Sequence, residues 1–265
     1  MDRPALTISQ VDRLGKRLRA SEIISPSDLE LLQRYQIEHL DALFEVNEVL
    51  DRVLPDIAHT VRLKSVGTLH DKLRRQPTRL SRVYDIAGAR IVRKMGLAEQ
   101  DELVARIVAA FPGARSLDRR TAPQYGYRAV HVIVPVGGHL AEVQVRTDMQ
   151  DGWAQLVETL GDVWGRQIRY GGDPDDPEHV VGDIVARREL WTEVLAYGES
   201  IATLEAMVAP AVEWLNAAQK QGFPVPLEEV DQRIGDIQRL LNATKTQTDV
   251  LFAHLHAIME SGKTL

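Results

Sequence analysis

Apolar residues recur along the chain at two periods, and the change from one to the other separates helical stretches from a sheet-forming middle. Over residues 26–54, Ile37, Leu40, Phe44 and Leu54 return at helical spacing. Ser25 or Ser27 supplies a cap, Pro26 suits the first turn and Pro55 ends the run, so one long helix is predicted. Residues 65–75 predict a shorter helix, with Val66, Leu69 and Leu73 on one side and Lys72 and Arg75 together on another. From Tyr84 the period changes. Ile86, Ala87, Ala89, Ile91 and Val92 form a dense apolar run that reads as a buried strand. A helix follows over 97–111, closed by Pro112-Gly113. Residues 129–136 and 140–146 then read as two strands joined by Gly137-Gly138, a hairpin signal. In the second of these strands Glu142, Gln144 and Arg146 alternate with Val143 and Val145, giving one polar and one core face. The elements together predict an α+β fold, a mixed β-sheet with flanking helices.

After Asp148 the pattern turns helical again through Trp153, Leu156, Leu160 and Trp164, then breaks at GGDPDDPE, residues 171–178, which reads as a linker. Beyond it only helices are predicted. From residue 227 onward Val230, Ile234, Ile237, Leu241, Leu251, Leu255 and Ile258 follow three-four spacing, interrupted by Thr244 and Thr248. The expected organisation is N-terminal helices over 1–55, a core over 56–172 and a C-terminal helical annex over 176–265. That annex either packs on the core or offers a face for self-association or a partner.

Composition narrows the chemistry. The 265 residues are 44% hydrophobic and 26% charged, as in globular proteins, and contain no cysteine. Disulfide scaffolds, thiolate zinc sites, iron–sulfur clusters and cysteine nucleophiles are thereby excluded. No long apolar run marks a membrane span, and the first residues lack a signal-peptide apolar region, so a cytoplasmic protein without a membrane partner is expected. The formal net charge is -6, but it is unevenly spread. Between Arg62 and Lys94 ten basic residues stand against two acids, and from Asp173 onward sixteen acids stand against seven basic residues. A concentrated cationic segment in an acidic protein suits a small polyanionic ligand better than a long nucleic-acid track.

Three patches carry candidate chemistry: Arg62-x-Lys64 with Lys72 and Arg75; Asp85-Ile-Ala-Gly-Ala-Arg90; and Gly126-Tyr127-Arg128 to His131 followed by Glu142-x-Gln144-x-Arg146. Spaced cations hold the phosphates of a nucleoside triphosphate. Magnesium takes carboxylate and phosphate oxygens and keeps several waters, so Asp85 and Glu142 suffice to bind it. Guanidinium planes and Tyr127 offer stacking platforms for bases. Each residue also has a structural reading: Asp85 as a salt-bridge acid, Glu142 as an edge-strand charge, Tyr127 as a core aromatic. His70-Asp71 lacks the further ligands that a metal phosphohydrolase requires.

Four segments, RLKSVGTLHDKLRR, YDIAGARIV, GYRAVHVIV and AEVQVRT, occur in the order found in the RelA/SpoT-type alarmone synthetases, and the stretch from Arg62 to Tyr170 resembles the synthetase domain of that family, above all its small single-domain members. The resemblance implies a nucleotidyltransferase-like core that transfers the β,γ-pyrophosphate of ATP to the 3′-hydroxyl of GDP or GTP with Mg2+ as cofactor. It implies that Arg62 and Arg90 sandwich the adenine, that Lys64, Lys72 and Arg75 hold the donor phosphates, and that Asp85 and Glu142 hold the metal, Glu142 also orienting or deprotonating the attacking hydroxyl. Tyr127 would stack on the acceptor guanine, with His131, Gln144 and Arg146 lining the same cleft.

Two departures concern the acceptor. The family usually has Asn or Ser before Gly-Tyr, preceded by Lys; here Tyr125 takes the first place and Pro123-Gln124 supply no Lys. Some small members act as toxins that place pyrophosphate on the 3′ CCA end of tRNA. Tyr125 as a second stacking aromatic, with Arg115, Arg119, Arg120 and Arg128 for a phosphate backbone, would suit that substrate. A guanosine nucleotide and tRNA therefore both stand as acceptors, and a non-catalytic nucleotide-binding module is a third reading. A synthetase without a hydrolase domain is expected, as is either a homo-oligomer or an antitoxin docked on the C-terminal helices.

Overall fold

The computed structural model describes residues 5–181, 185–221 and 227–260, with the side chains of the last two helices described in part. The elements run α1 (Ile8–Ala20), α2 (Pro26–Val53), β1 (Thr60–Leu63), α3 (Val66–Arg75), β2 (Ala87–Arg93), α4 (Leu97–Ala110), β3 (Arg115–Asp118), β4 (Val130–Val136), β5 (His139–Thr147), α5 (Asp148–Val163), β6 (Val180–Val181), β7 (Val185–Ala186), α6 (Arg187–Gln221) and α7 (Leu227–Glu260). This is the expected α+β architecture. Five strands form one sheet in the order β1-β2-β5-β4-β3, and β6 and β7 make a separate two-stranded ribbon. No helix among the described residues is long and apolar enough to cross a membrane.

The chain forms two compact units. The first comprises residues 1–92, 102–117 and 130–145, and the second 93–101, 118–129 and 146–265.

In the first unit, α1 and α2 pack together to hold α3. Helix α1 lies in the N-terminal helical stretch expected over 1–55, whose pattern sets no separate bounds for it, although its start is legible: Thr7 and Gln10 form a reciprocal capping box. Val11, Leu14 and Leu18 follow at helical spacing and join Leu32 and Tyr35 of α2 and Leu69 and Leu73 of α3 in one apolar cluster. Gly15 permits the approach of α1 to the turn at residues 80–82, since a Cβ there would lie 2.7 Å from Leu80 Cβ. His70 is buried beside this cluster, its Nε2 2.9 Å from the carbonyls of Leu18 and Ser21. Helix α2 begins at the Ser25 cap with Pro26 in its first turn, as expected. Its buried stripe, however, runs through Leu32, Tyr35, His39, Ala42, Val46, Val49 and Leu50, while Ile37 and Phe44 are each 63% exposed. Counting aliphatic and Phe positions alone picks the neighbouring face, because on this helix an amphipathic Tyr and a His complete the core stripe.

The sheet presents one polar face. Antiparallel pairing sets Arg62 opposite Gly88 and Thr60 opposite Arg90. It also sets His131 opposite Gln144 and Ile133 opposite Glu142. By the two-residue period of strands, His131, Glu142 and Gln144 share a face. Val130, Val132 and Val134 with Val143 and Val145 bury the other. The hairpin turns at Gly137 (φ 56°) and Gly138 (φ 79°), two consecutive left-handed residues, as the two-residue turn between twisted strands requires.

The second unit packs Trp153, Val157, Leu160 and Trp164 of α5 against Leu190, Trp191, Val194 and Ile201 of α6, with Val181 and Val185 of the ribbon. Segment 171–178 is tied down in part, Asp175 N donating to the Trp164 carbonyl. Helix α7 packs on α6. Ile234, a member of the expected stripe, is 43% exposed, and the side chains of Val230, Leu241, Thr248, Leu251, Leu255 and Ile258 lie outside the described residues.

Burial lowers the pKa of His39 to about 4, against the help of its contact with the Tyr35 carbonyl. A His whose folded pKa is depressed leaves the unfolded chain binding the extra proton between about pH 6.5 and 4, so stability is lost as pH falls through that window. Up to about 3 kcal/mol disappears there. Urea unfolding at pH 7 and pH 5 measures it, and His39→Gln is expected to flatten the slope.

Candidate active site

The site begins with one carboxylate held between two ammonium groups. Lys64, at the end of β1, places Nζ 2.6 Å from Asp85 Oδ2, and Lys72, from the last turn of α3, places Nζ 2.8 Å from Oδ1. Main-chain and side-chain contacts aim these groups. Lys64 N donates to the Ile86 carbonyl at 2.8 Å, and Gln36 Nε2 of α2 donates to the Lys64 carbonyl at 2.6 Å. The burial of Leu69 and Leu73 fixes the roll of α3 and so the direction of Lys72. Burial works to raise the Asp85 pKa, but Lys64 and Lys72 outweigh it and hold the carboxyl below its usual range.

The second carboxylate is held just as fully. Glu142 on β5 is 5% exposed. His131 Nδ1 lies 2.7 Å from its Oε1, and Gln144 Nε2 donates to its Oε2 at 2.7 Å. Burial and the neighbouring Asp85 push its pKa up, while His131 and Gln144 bring the balance below the usual carboxylate value. Glu142 is therefore ionised at neutral pH.

Both acids line one cavity, together with Arg62, Lys64, Arg90 and Gln144. Arg62 and Arg90 are diagonal neighbours across the β1–β2 pair, a spacing of about 7–8 Å, roughly what a planar ring needs between two stacking groups. Gly88 sits opposite Arg62 and adds no side chain, and a Cβ on it would come within 3.1 Å of the Glu142 carbonyl. In the sequence Gly88 stands out only as a glycine of the Asp85–Arg90 segment beside the buried strand, with no sign of its place in the cavity. Arg75 is placed otherwise. It is exposed, its Nε donates to the Asp71 carbonyl at 3.1 Å, and it is not among the residues lining the cavity.

The two carboxylates make a hard-oxygen donor set. Asp85 Oδ1 is buried without an aligned hydrogen bond, Lys72 meeting it only as an ion pair. Among the described residues no three His, Cys, Asp or Glu converge, so a site built wholly of protein ligands is not formed there. Magnesium needs less, since it retains water and takes phosphate oxygens alongside one or two carboxylates. Asp85 and Glu142 fit that requirement.

In the second unit, Tyr127 and Arg146 form a platform of their own. The Arg146 guanidinium lies 5.1 Å from the Tyr127 ring centre, Nη2 donates to the phenol oxygen at 3.0 Å, and Nη1 donates to Asp151 at 2.7 Å. The Tyr127 loop is a tight turn in which Gln124 and Tyr127 exchange backbone bonds of 3.3 and 3.0 Å. Its central residues, Tyr125 (φ 54°) and Gly126 (φ 86°), are both left-handed. Tyr125 is 55% exposed and its ring lies against Gly171. Arg128 and Arg120 differ from expectation as phosphate-backbone contacts. Arg128 is buried and donates to the Gly126 and Gly198 carbonyls and to Glu199. Arg120 is held by Asp118, Asp101 and Gln100. Both arginines brace the second unit from within.

Comparison with known proteins agrees with this layout. Residues 61–160 match the model of the region found in RelA / SpoT proteins. Uncharacterized proteins of Mycobacterium tuberculosis and Mycobacterium bovis are 36% identical over 179 residues, 65% of this chain and 65% of theirs. The chain thus spans about two thirds of the length of those relatives. Among solved structures, the fold is similar to small alarmone synthetase 1 from Bacillus subtilis, with a TM-score of 0.53 and 20% identity, covering 71% of this chain and all of that one. The same enzyme bound to its product pppGpp matches with a TM-score of 0.50 and 20% identity over 68% of this chain and 96% of that one.

The depressed pKa of Asp85 gives a stability that is present at neutral pH and lost as acid protonates it below about pH 4. Asp85→Asn, which leaves Lys64 and Lys72 without their counter-charge, is expected to be less stable than the unsubstituted chain at pH 7. The gap between the two narrows on acidification, as thermal melts from pH 7 to pH 3 would record.

Proposed function

We propose that the protein, whose residues 61–160 match the region found in RelA / SpoT proteins, is a pyrophosphokinase that moves the β,γ-pyrophosphate of ATP to the 3′-hydroxyl of GDP or GTP. The observation that carries this reading is the convergence of Asp85 and Glu142 on one cavity rimmed by Arg62, Lys64 and Arg90. Arg62 and Arg90 clasp the adenine, and Lys64 and Lys72 turn from Asp85 to the donor phosphates. Asp85 and Glu142 hold Mg2+, which when bound neutralises phosphate charge. Glu142 aligns the acceptor hydroxyl. Its lowered pKa makes it a weak acceptor of the proton, so orientation and charge are its larger contributions. The hydroxyl oxygen bonds to the β-phosphorus, and the bond from that phosphorus to the bridging oxygen breaks. AMP departs with the electron pair, and the hydroxyl proton passes by way of Glu142 to solvent. Catalysis of this kind is positioning and charge compensation more than covalent chemistry.

For the acceptor base we assign the Tyr127–Arg146 platform of the second unit. A guanosine nucleotide is favoured over tRNA, because Arg120 and Arg128 are bound to internal carboxylates and carbonyls. The exposed ring of Tyr125 is the observation on the side of tRNA. The reaction belongs to the cytoplasm, where ATP and guanosine nucleotides are at hand.

Incubation of the purified protein with γ-labelled ATP and GDP, GTP or deacylated tRNA tests the reading. Label is expected in a guanosine nucleotide; label at the RNA 3′ end selects the other acceptor, and no transfer to any of them refutes an enzyme of this class. Asp85→Asn and Glu142→Gln should each lower transfer by about 100-fold or more with the fold retained. Tyr127→Ala should raise the KM for the acceptor more than that for ATP; an equal rise for both would show that Tyr127 is not the acceptor platform.

A further inference from the structure

A second cationic cavity lies in the first unit, lined by residues that the donor site does not use. It measures about 290 Å³ and is bounded by Arg13, Lys16 and Arg19 of α1, by Thr78 and Arg79 from the segment after α3, and by Ser9 and Asp12. On α1 the three cations recur every third residue, which puts them along one side of the helix. Arg17 on the same helix is paired elsewhere, with Asp28 at 2.7 Å.

Three observations set this cavity apart from an ordinary charged surface. Arg13 and Lys16 are exposed and have no hydrogen-bond or ion-pair partner among the described residues. The one acid, Asp12, is already engaged: its Oδ1 accepts from Ser81 N at 3.2 Å and Ser81 Oγ at 2.7 Å, and Arg79 reaches its Oδ2 only at 4.0 Å. Four cations thus face one carboxylate. Third, the pocket is made by a close helix approach. Gly15 lets α1 settle on Leu80, where a Cβ would collide at 2.7 Å, and this brings Arg79 next to the cationic side of α1.

We propose that this pocket is a binding site for the oligophosphate chain of a small molecule, separate from the cavity of Asp85 and Glu142. Ser9 and Thr78 add hydroxyl donors to the charges. Four cations confined to one bounded cavity match the several charges of a di- or triphosphate, whereas a polynucleotide needs a track. The site has a physical link to the donor side. Arg19 Nε donates to the Leu73 carbonyl at 3.0 Å, and its Nη2 donates to the Thr78 carbonyl. Leu73 directly follows Lys72, so the side chain that lines the pocket also holds the turn that carries a donor lysine. That consequence for donor binding rests on the function proposed above; the binding of the anion does not.

Calorimetric titration with inorganic tripolyphosphate tests the site in the full chain. Arg13→Glu/Lys16→Glu replaces two exposed side chains and is expected to weaken binding by about tenfold or more, or to remove one equivalent of bound anion. Arg93→Glu/Lys94→Glu, an equal change of charge at exposed positions elsewhere, should do neither. Hydrogen exchange in saturating tripolyphosphate should slow over 8–20 and 77–82 in the unsubstituted chain. Parallel titrations with GTP distinguish the source. Tighter binding of GTP than of tripolyphosphate, lost in Arg13→Glu/Lys16→Glu, identifies a nucleotide; equal affinities identify the phosphate chain alone. Identical isotherms for the two charge-reversal variants, or no protection over 8–20, would overturn the proposal whether or not the protein proves to transfer pyrophosphate.

Discussion

One carboxylate shared by two lysines is the constraint on which the first unit is arranged. Lys64 and Lys72 come from different elements, are each about four-fifths buried, and meet only through Asp85. A single negative charge cannot compensate both, and water has little access. Glu142 adds a second negative charge in the same cavity, but Arg62 and Arg90 add two more positive ones. Cationic side chains therefore outnumber carboxylates around this cavity, an arrangement that attracts anions. The ion triad is thus a clamp between β1 and α3, and removing Asp85 alone would leave buried charge uncompensated.

Legibility in the sequence followed how local the cause was. The Gly137-Gly138 hairpin, the Ser25 cap and the alternation along β5 depend on neighbours in sequence, and the structure repeats them. So does the chemistry of Glu142, whose partners Gln144 and His131 follow from strand period and pairing once the hairpin register is known. What escaped depended on distant packing. Strands β1 and β3 have four residues each, too short for a period to register, so Arg62 is a strand residue where its surroundings suggested only a basic patch. Arg75 was grouped with Lys72 because helical spacing allows two cations to converge. Yet α3 ends at Arg75, where its guanidinium turns back to the Asp71 carbonyl. The fates of Arg120 and Arg128 needed the positions of Asp101 and Glu199, which no local pattern supplies.

The Tyr125-Gly126 turn shows a local rule broken where packing holds the chain. A turn with two consecutive left-handed residues favours Asn-Gly, since Asn tolerates positive φ and an aromatic side chain does so at a cost of about 1 kcal/mol or more. Here the aromatic is retained, and the surroundings hold the turn in place. Gly126 accepts Trp153 at a distance a Cβ would close to 2.6 Å, and Arg128 ties the Gly126 carbonyl to Gly198 and Glu199. Strain that packing maintains marks a conformation the loop would not choose alone. Its effect is to expose the ring of Tyr125 while Tyr127 is turned toward Arg146.

The allocation of lysine and arginine follows the same division between fixed and exchangeable contacts. Arginine, with a planar fork, appears where geometry is to be held: Arg146 between Tyr127 and Asp151, Arg128 on two carbonyls and a carboxylate, Arg19 on two carbonyls. Lysine appears around Asp85, where a compact charge on a flexible stem can leave one oxygen and meet another with little loss of directionality. Bidentate arginines in those places would grip Asp85 more firmly and in a fixed direction. The unaligned contact between Lys72 and Asp85 Oδ1 is in keeping with this: charge rather than direction holds the pair.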